Sequence, residues 1–227
     1  MLSDKTTNVS SGSTKLTIVG GKWTLRVPEG TPGAIGRELT KGKNEGQTVY
    51  EMKYQSLSGC IVSGELVESE VGLNAEIGIA DFKANDSYTI SLPAESRYLK
   101  ELIKRLPNID AKEEVSLELV EHPKKKTKVG GPVYNLHVVQ GGKLVADHFT
   151  EWKTGEDNKQ FPVLLHGMPD AVHTRTGWDF KAQDEFLFNV FDDHFKTFIA
   201  PVAGDTMRVV DTDDLQEDAE ESEDVPF

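Results

Sequence analysis

Cysteine is almost absent from this chain of 227 residues. Cys60 stands alone, which excludes an internal disulfide and any cysteine-based zinc cluster. Cys60 itself reads as a small strand residue. Long apolar runs are missing too, and nothing approaches the ~18 consecutive apolar residues of a membrane helix. Residues Met1 to Thr14 are polar and rich in Ser and Thr. They lack the basic start and apolar stretch of a secretory signal, so a cytoplasmic, reducing location is expected. The signatures of common catalysts are absent as well. There is no Gly-x-Gly-x-x-Gly, no P-loop Gly-Lys-Ser/Thr and no Gly-x-Ser-x-Gly elbow. The six histidines (His122, His137, His148, His166, His173 and His194) form no His-x-His or His-Glu-x-x-His pair. His148 with Glu151, and Asp192-Asp193-His194, come nearest to a ligand set, and both read as surface or satisfied core positions. No cofactor or metal is expected, and no internal repeat is present.

Positive charge is scarce overall, but unevenly so. The net charge is -13, and nine of the 38 acids fall in Asp211–Phe227, which holds no Lys or Arg. The remaining 29 acids face all 25 Lys and Arg. The body is therefore close to balanced, and a balanced body can still present a basic face.

What is present is alternation. Leu16 and Ile18 alternate with Lys15 and Thr17. Trp23, Leu25 and Val27 alternate with Lys22, Thr24 and Arg26. Tyr50, Met52 and Tyr54 alternate with Glu51, Lys53 and Gln55. Leu73, Ala75, Ile77 and Ile79 share one face, as do Val115, Leu117 and Leu119. A period of two marks half-buried strands. Gly-rich stretches at Glu29–Gly33 and Lys41–Gly46 supply turns. Val133 to Val139, Gln140-Gly141-Gly142 and Lys143 to Phe149 read as a hairpin. One segment breaks the pattern. Tyr98, Leu99, Leu102, Ile103 and Leu106 form a helical stripe within Ser91–Leu106, with Ser91 as cap, Pro93 in the first turn and Pro107 as the stop. Residues 150–204 are the most aromatic part of the chain, and Asp184 to Phe198 fits a helix or two short strands.

Strands, one helix, then more strands is the order of an OB barrel, whose helix lies between the third and fourth strands. The expected fold is mainly β: an OB-fold-like five-stranded barrel, an aromatic-rich C-terminal extension and an acidic tail. The expected division is an arm over 1–13, an elaborated DNA-binding domain over 14–204 and a disordered partner-binding tail over 205–227.

The chain ends Glu-Asp-Ala-Glu-Glu-Ser-Glu-Asp-Val-Pro-Phe. Phe227 offers an apolar ring and the chain's free carboxylate at one residue. An apolar pocket rimmed by Arg or Lys captures both. Pro226 limits the freedom lost on binding, and the preceding acids attract a basic partner. This tail resembles that of bacterial single-stranded DNA-binding proteins and their phage counterparts, which close an acidic tail with a Pro-Phe tip. The tip residues are Asp224, Val225, Pro226 and Phe227. The length of the body looks more like a phage-encoded member. The resemblance implies a protein that coats single-stranded DNA in replication, recombination and repair. It also implies recruitment of polymerase, helicase, primase or nuclease through the tail, without catalysis.

Gripping unpaired nucleotides takes a cationic track and aromatic platforms. The candidate cations are Lys22, Arg26, Arg37, Lys41, Lys43 and Lys53 on or between the first strands. Lys124, Lys125, Lys126 and Lys128 are expected in a loop between two late strands. Candidate platforms are Trp23, Tyr50, Tyr54, Tyr88 and Tyr134, with Tyr50, Tyr54 and Tyr88 carried forward as site residues. Trp23 shares a face with Leu25 and Val27, which favours the core; Tyr50 and Tyr54 flank Met52, which leaves core and surface both open. Two other functional classes fit the composition: an adaptor whose tail binds protein while the barrel binds no DNA, and a β-barrel metalloenzyme built on the scattered His and acidic residues.

Overall fold

The computed structural model describes residues 14–40, 44–69, 72–82, 84, 86–127, 130–155 and 158–205. Lys41, Lys43, Lys128 and the tip Asp224–Phe227 lie outside the described residues, as do the expected arm over 1–13 and the tail from 206 onward.

The chain is mainly β. β1 (Thr14–Val19) and β2 (Lys22–Val27) form a hairpin through Gly20 and Gly21. Both turn residues have positive φ, 59° and 73°, the conformation that two-residue hairpin turns demand and that glycine adopts freely. Gly21 is confined a second way, since a Cβ there would lie 2.3 Å from the Tyr134 ring. β3 (Ile35–Glu38) and β4 (Thr48–Tyr54) follow, and β4 pairs with both β2 and β3. Only Gln55 separates β4 from β5 (Ser56–Ser69), the longest strand at 14 residues. β6 (Gly72–Asp81) and β7 (Asp86–Pro93) continue the meander, and β1 lies parallel beside β7. After α1 (Arg97–Ile103) come β8 (Val115–Lys126), β9 (Pro132–Gln140) and the short β10 (Lys143–Leu144).

These pairings make one sheet of ten strands in the order β10-β9-β8-β5-β6-β7-β1-β2-β4-β3. The expected five-stranded barrel is corrected accordingly: the sheet is large and is not a closed barrel of five strands. Residues 14–54 add four strands beyond β7 that alternation alone does not distinguish from barrel strands. The sheet curls nevertheless. β5 pairs with β8 through Ser56–Gly59 and with β6 from Cys60 onward. Pairings from β4 through β2, β1, β7 and β6 thus return to β5, one residue from where they started. Leu16, Trp23, Leu57, Ile77, Ile90 and Leu117 fill the inside, each no more than 1% exposed.

The helix is shorter than expected. β7 runs through Pro93, which faces Asn74 of β6, so the sheet claims Ser91 and Pro93. A proline is tolerated at a strand end. Ser96 caps α1 instead, accepting from the Tyr98 N–H at 3.2 Å. The apolar stripe holds: Leu99, Leu102, Ile103 and Leu106 are buried. α1 packs against β7, β9 and the later helix at residues 181–205.

Two short ribbons follow, β11 (Thr150–Thr154) with β12 (Gln160–Leu164) and β13 (Val172–Thr174) with β14 (Gly177–Asp179). The last element is α2 (Lys181–Asp205). It buries Leu187 and Phe191, and its Phe195 ring sits 2.3 Å from where a Cβ on Gly64 of β5 would stand. Among the described residues no helix is long and apolar enough to cross a membrane.

Candidate nucleic-acid interface

Strand register decides which cations act together. Trp23 and Leu25 of β2 face the core, so Lys22, Thr24 and Arg26 face the other way. Across the ladder, Trp23 pairs with Tyr54 and Leu25 with Met52, which turns Glu51 and Lys53 of β4 to the same outer face. On β3, Ile35 lies opposite Glu51 and Arg37 opposite Val49. Four of the candidate cations, Lys22, Arg26, Arg37 and Lys53, thus share one side of a three-stranded patch.

Glu51 is the centre of that patch. Its side chain is 1% exposed, and a buried carboxylate persists only when paired. Arg37 supplies the pair in side-on geometry: Nη2 to Oε1 at 2.6 Å and Nε to the two oxygens at 3.0 and 3.1 Å. Lys53 Nζ lies 3.7 Å from Oε2, and Arg26 is directly opposite on β2. The Arg37 hydrogen bond holds the Glu51 carboxyl below its ordinary range, against the opposing effect of burial; the charges of Lys53 and Arg26 act in the same direction. Lys22 hydrogen-bonds the side chain of Gln55, whose amide donates to the Leu119 carbonyl.

The second cation group is placed differently from expectation. Lys124, Lys125 and Lys126 belong to the end of β8, not to a loop. Pairing with β9 is irregular between Glu121 and Lys126, the behaviour of a bulged strand. The backbone N–H groups of Lys124 and Lys125 donate to His122 Nδ1 at 3.1 and 3.0 Å, and both side chains are exposed. Lys126 is paired with Glu121 at 2.9 Å.

The tyrosines require correction. Tyr54 and Tyr88 are core residues, 5% and 3% exposed, and therefore not surface platforms. Tyr88 donates to the Ser58 carbonyl at 2.6 Å, and burial pushes its phenol well above the ordinary value. Tyr50 is half-buried and donates to Glu29 at 2.5 Å.

The chain matches no known family, no characterised protein and no solved structure.

The exposed aromatics lie elsewhere, at positions the period-two reading passed over. Trp152 and Trp178 are each 63% exposed, and Phe82, Phe161 and Phe180 about half. Trp152 sits between Glu151 and Lys153 in a ribbon only two strands wide, with Thr150 and Thr154 as its own-face neighbours. A tryptophan with polar residues at the two positions before it and the two after it is the signal in the sequence that marks it as exposed. An open groove of about 730 Å³ runs between α1 and the start of α2, rimmed by Trp178, Phe180 and Arg97. Two ion pairs lie within its lining, Lys100 with Asp184 at 2.6 Å and Lys181 with Glu185 at 3.8 Å. Among the described residues no group of three or more His, Cys, Asp or Glu is placed to hold a metal. The chemistry the patch around Glu51 offers is recognition of anionic oxygen by guanidinium and ammonium groups.

Proposed function

We propose that this protein binds single-stranded DNA in the cytoplasm and recruits replication and recombination proteins through Asp224-Val225-Pro226-Phe227, acting by binding and not by catalysis. The observation that carries the reading is a connectivity inside the large sheet. Strands β5, β6 and β7, then α1, then β8 and β9, lie in the order β9-β8-β5-β6-β7. A bent first strand pairs with both the second and the fourth, and the helix lies in the third-to-fourth connection. That is OB-type connectivity, a scaffold used for oligonucleotides. β1 occupies the free edge of β7, and Tyr134 of β9 lies on Gly21 of the β1–β2 turn. The N-terminal hairpin thereby fills the gap where the third and fifth strands of such a barrel approach each other.

Cations on one face, Lys124 and Lys125 at a strand end, and exposed Trp152, Phe161 and Trp178 supply the two ingredients of sequence-tolerant strand binding, charge and stacking surface. The test is an oligo-dT titration followed by tryptophan fluorescence. Trp23 is fully buried while Trp152 and Trp178 are open, so quenching reports on the exposed pair. Binding should weaken with salt at about -0.7 in log–log slope per phosphate contact. Absence of binding at ~50 mM salt overturns the reading and leaves the tail-borne adaptor in its place.

A further inference from the structure

The outer face of β2, β4 and β3 carries a charge arrangement that packing alone does not require. By register its residues are Lys22, Thr24 and Arg26, then Val49, Glu51 and Lys53, then Ile35 and Arg37. Glu51 is the sole acid among them, against four cations. A single Arg–Glu pair would cancel itself, whereas this face keeps an excess of positive charge around one buried carboxylate. The side-on pair engages Nε and Nη2 of Arg37, which leaves the Nη1 edge of the guanidinium to meet a further anion. The outer face of β6 and β7 makes the contrast. Its register positions are Asn74, Glu76, Gly78 and Ala80 against Pro93, Ser91, Thr89 and Ser87, without a cation of their own. Glu76 there lies opposite Glu65 of β5 and is met by Lys15 of β1.

We infer that the backbone of a bound single strand runs over the outer face of β2, β4 and β3, with Arg26, Arg37 and Lys53 contacting phosphates and Glu51 acting as the positioning residue that holds Arg37 and Lys53 in place. The inference rests on the single-strand-binding reading and adds where the phosphates go. Long cations lose side-chain freedom when they grip a phosphate. A buried carboxylate that orders them beforehand removes part of that loss, at the expense of one unit of positive charge. The track lies on the strands that precede the OB-type five, so the N-terminal hairpin and its neighbours form a binding surface as well as an edge cover.

Glu51→Gln separates positioning from charge. The variant is one charge more positive. Counting charge predicts tighter binding to oligo-dT. Positioning predicts affinity about 3- to 10-fold weaker at fixed salt, with thermal unfolding measured alongside. Arg26→Gln and Lys53→Gln change exposed or half-exposed side chains and keep the test open if Glu51→Gln fails to fold. Each should flatten the log–log salt slope by about 0.7, while Lys143→Gln on β10 leaves it unchanged. Tighter binding by Glu51→Gln overturns the positioning role. Unchanged slopes in both Arg26→Gln and Lys53→Gln overturn the track, and if the wild type still binds, single-strand binding itself stands. A wild type that does not bind overturns both.

Discussion

The indole N–H of Trp23 donates to the backbone carbonyl of Leu117 at 2.9 Å, across 94 residues of chain. Trp23 is on β2 and Leu117 on β8, strands that are not neighbours in the sheet order. The bond is buried and ties the N-terminal hairpin to the inside of the curl. An indole has one donor and no acceptor, so this carbonyl is its only protein partner and the geometry admits one arrangement.

Trp23→Phe keeps an aromatic ring and removes the donor. The Leu117 carbonyl then loses a buried partner, at about 1–3 kcal/mol, and the smaller ring leaves a void in the core. Urea unfolding should show that loss in the midpoint with little change in slope. Trp152→Phe, at a position 63% exposed, should change stability by less than about 0.5 kcal/mol. Equal losses in the two variants would remove the Trp23–Leu117 bond as a structural tie.

Gly64 and Phe195 make the second tie. A methyl group on Gly64 would meet the Phe195 ring at 2.3 Å, and Phe195 in turn packs on buried Phe191 at 4.8 Å between ring centroids. Gly64→Ala should therefore push α2 off β5, costing about 1–3 kcal/mol as overpacking does. Amide hydrogens of α2 should lose exchange protection while those of β6 and β7 keep theirs. Uniform loss across the sheet, or none anywhere, would contradict the contact.

How much of this was legible in the sequence depends on how locally each feature is specified. Strands β1, β2, β4, β6, β8 and β9 announce themselves by alternation because each carries its apolar residues on one face. β5 does not. Leu57, Gly59, Cys60 and Ile61 are all buried, and a register shift between Ile61 and Ser63 exchanges the two faces halfway along. A bulge of that kind erases a period of two. The helix stripe was readable, but its cap was not: Ser91 and Ser96 are equivalent as caps, and only pairing of Pro93 with Asn74 decides between them. The cation cluster was visible as composition. Glu51 was not visible as its centre, because along β4 it is simply the polar residue between Tyr50 and Met52. Its burial requires β3, and β3 pairs across a turn whose length follows no pattern. The core positions of Tyr54 and Tyr88 were not legible either: alternation through Tyr50, Met52 and Tyr54 does not say which side the core is on, and Tyr88 lies on β7, a strand the pattern does not mark.

The base of the β11–β12 ribbon supplies the last prediction, a dependence on pH. His148 and His166 flank the ribbon and stack at 4.0 Å between centroids, 15° from parallel. The root is held besides by the backbone N–H of His148, which donates to the Lys104 carbonyl at 2.8 Å. Asp147 adds two bonds, accepting from the Phe149 and Thr150 N–H groups at 2.8 and 2.9 Å. Burial and the neighbouring ring of His166 push His148 below its ordinary value, and Asp147 pulls weakly the other way. Burial lowers His194 of α2 too. A lowered histidine is neutral in the folded chain and takes up its proton more readily when unfolded. Its favourable contribution is therefore complete above the unfolded value of about 6.5 and is lost as pH falls through that value towards the folded one. Urea midpoints should drop steadily between about pH 7.5 and pH 5.5. His166→Asn removes the stacked ring while suiting the positive φ of 52° at that position. It should flatten this dependence in part, leaving the shares due to the burial of His148 and of His194. A His166→Asn profile as steep as that of the wild type would show that the stacked pair does not couple the ribbon to pH.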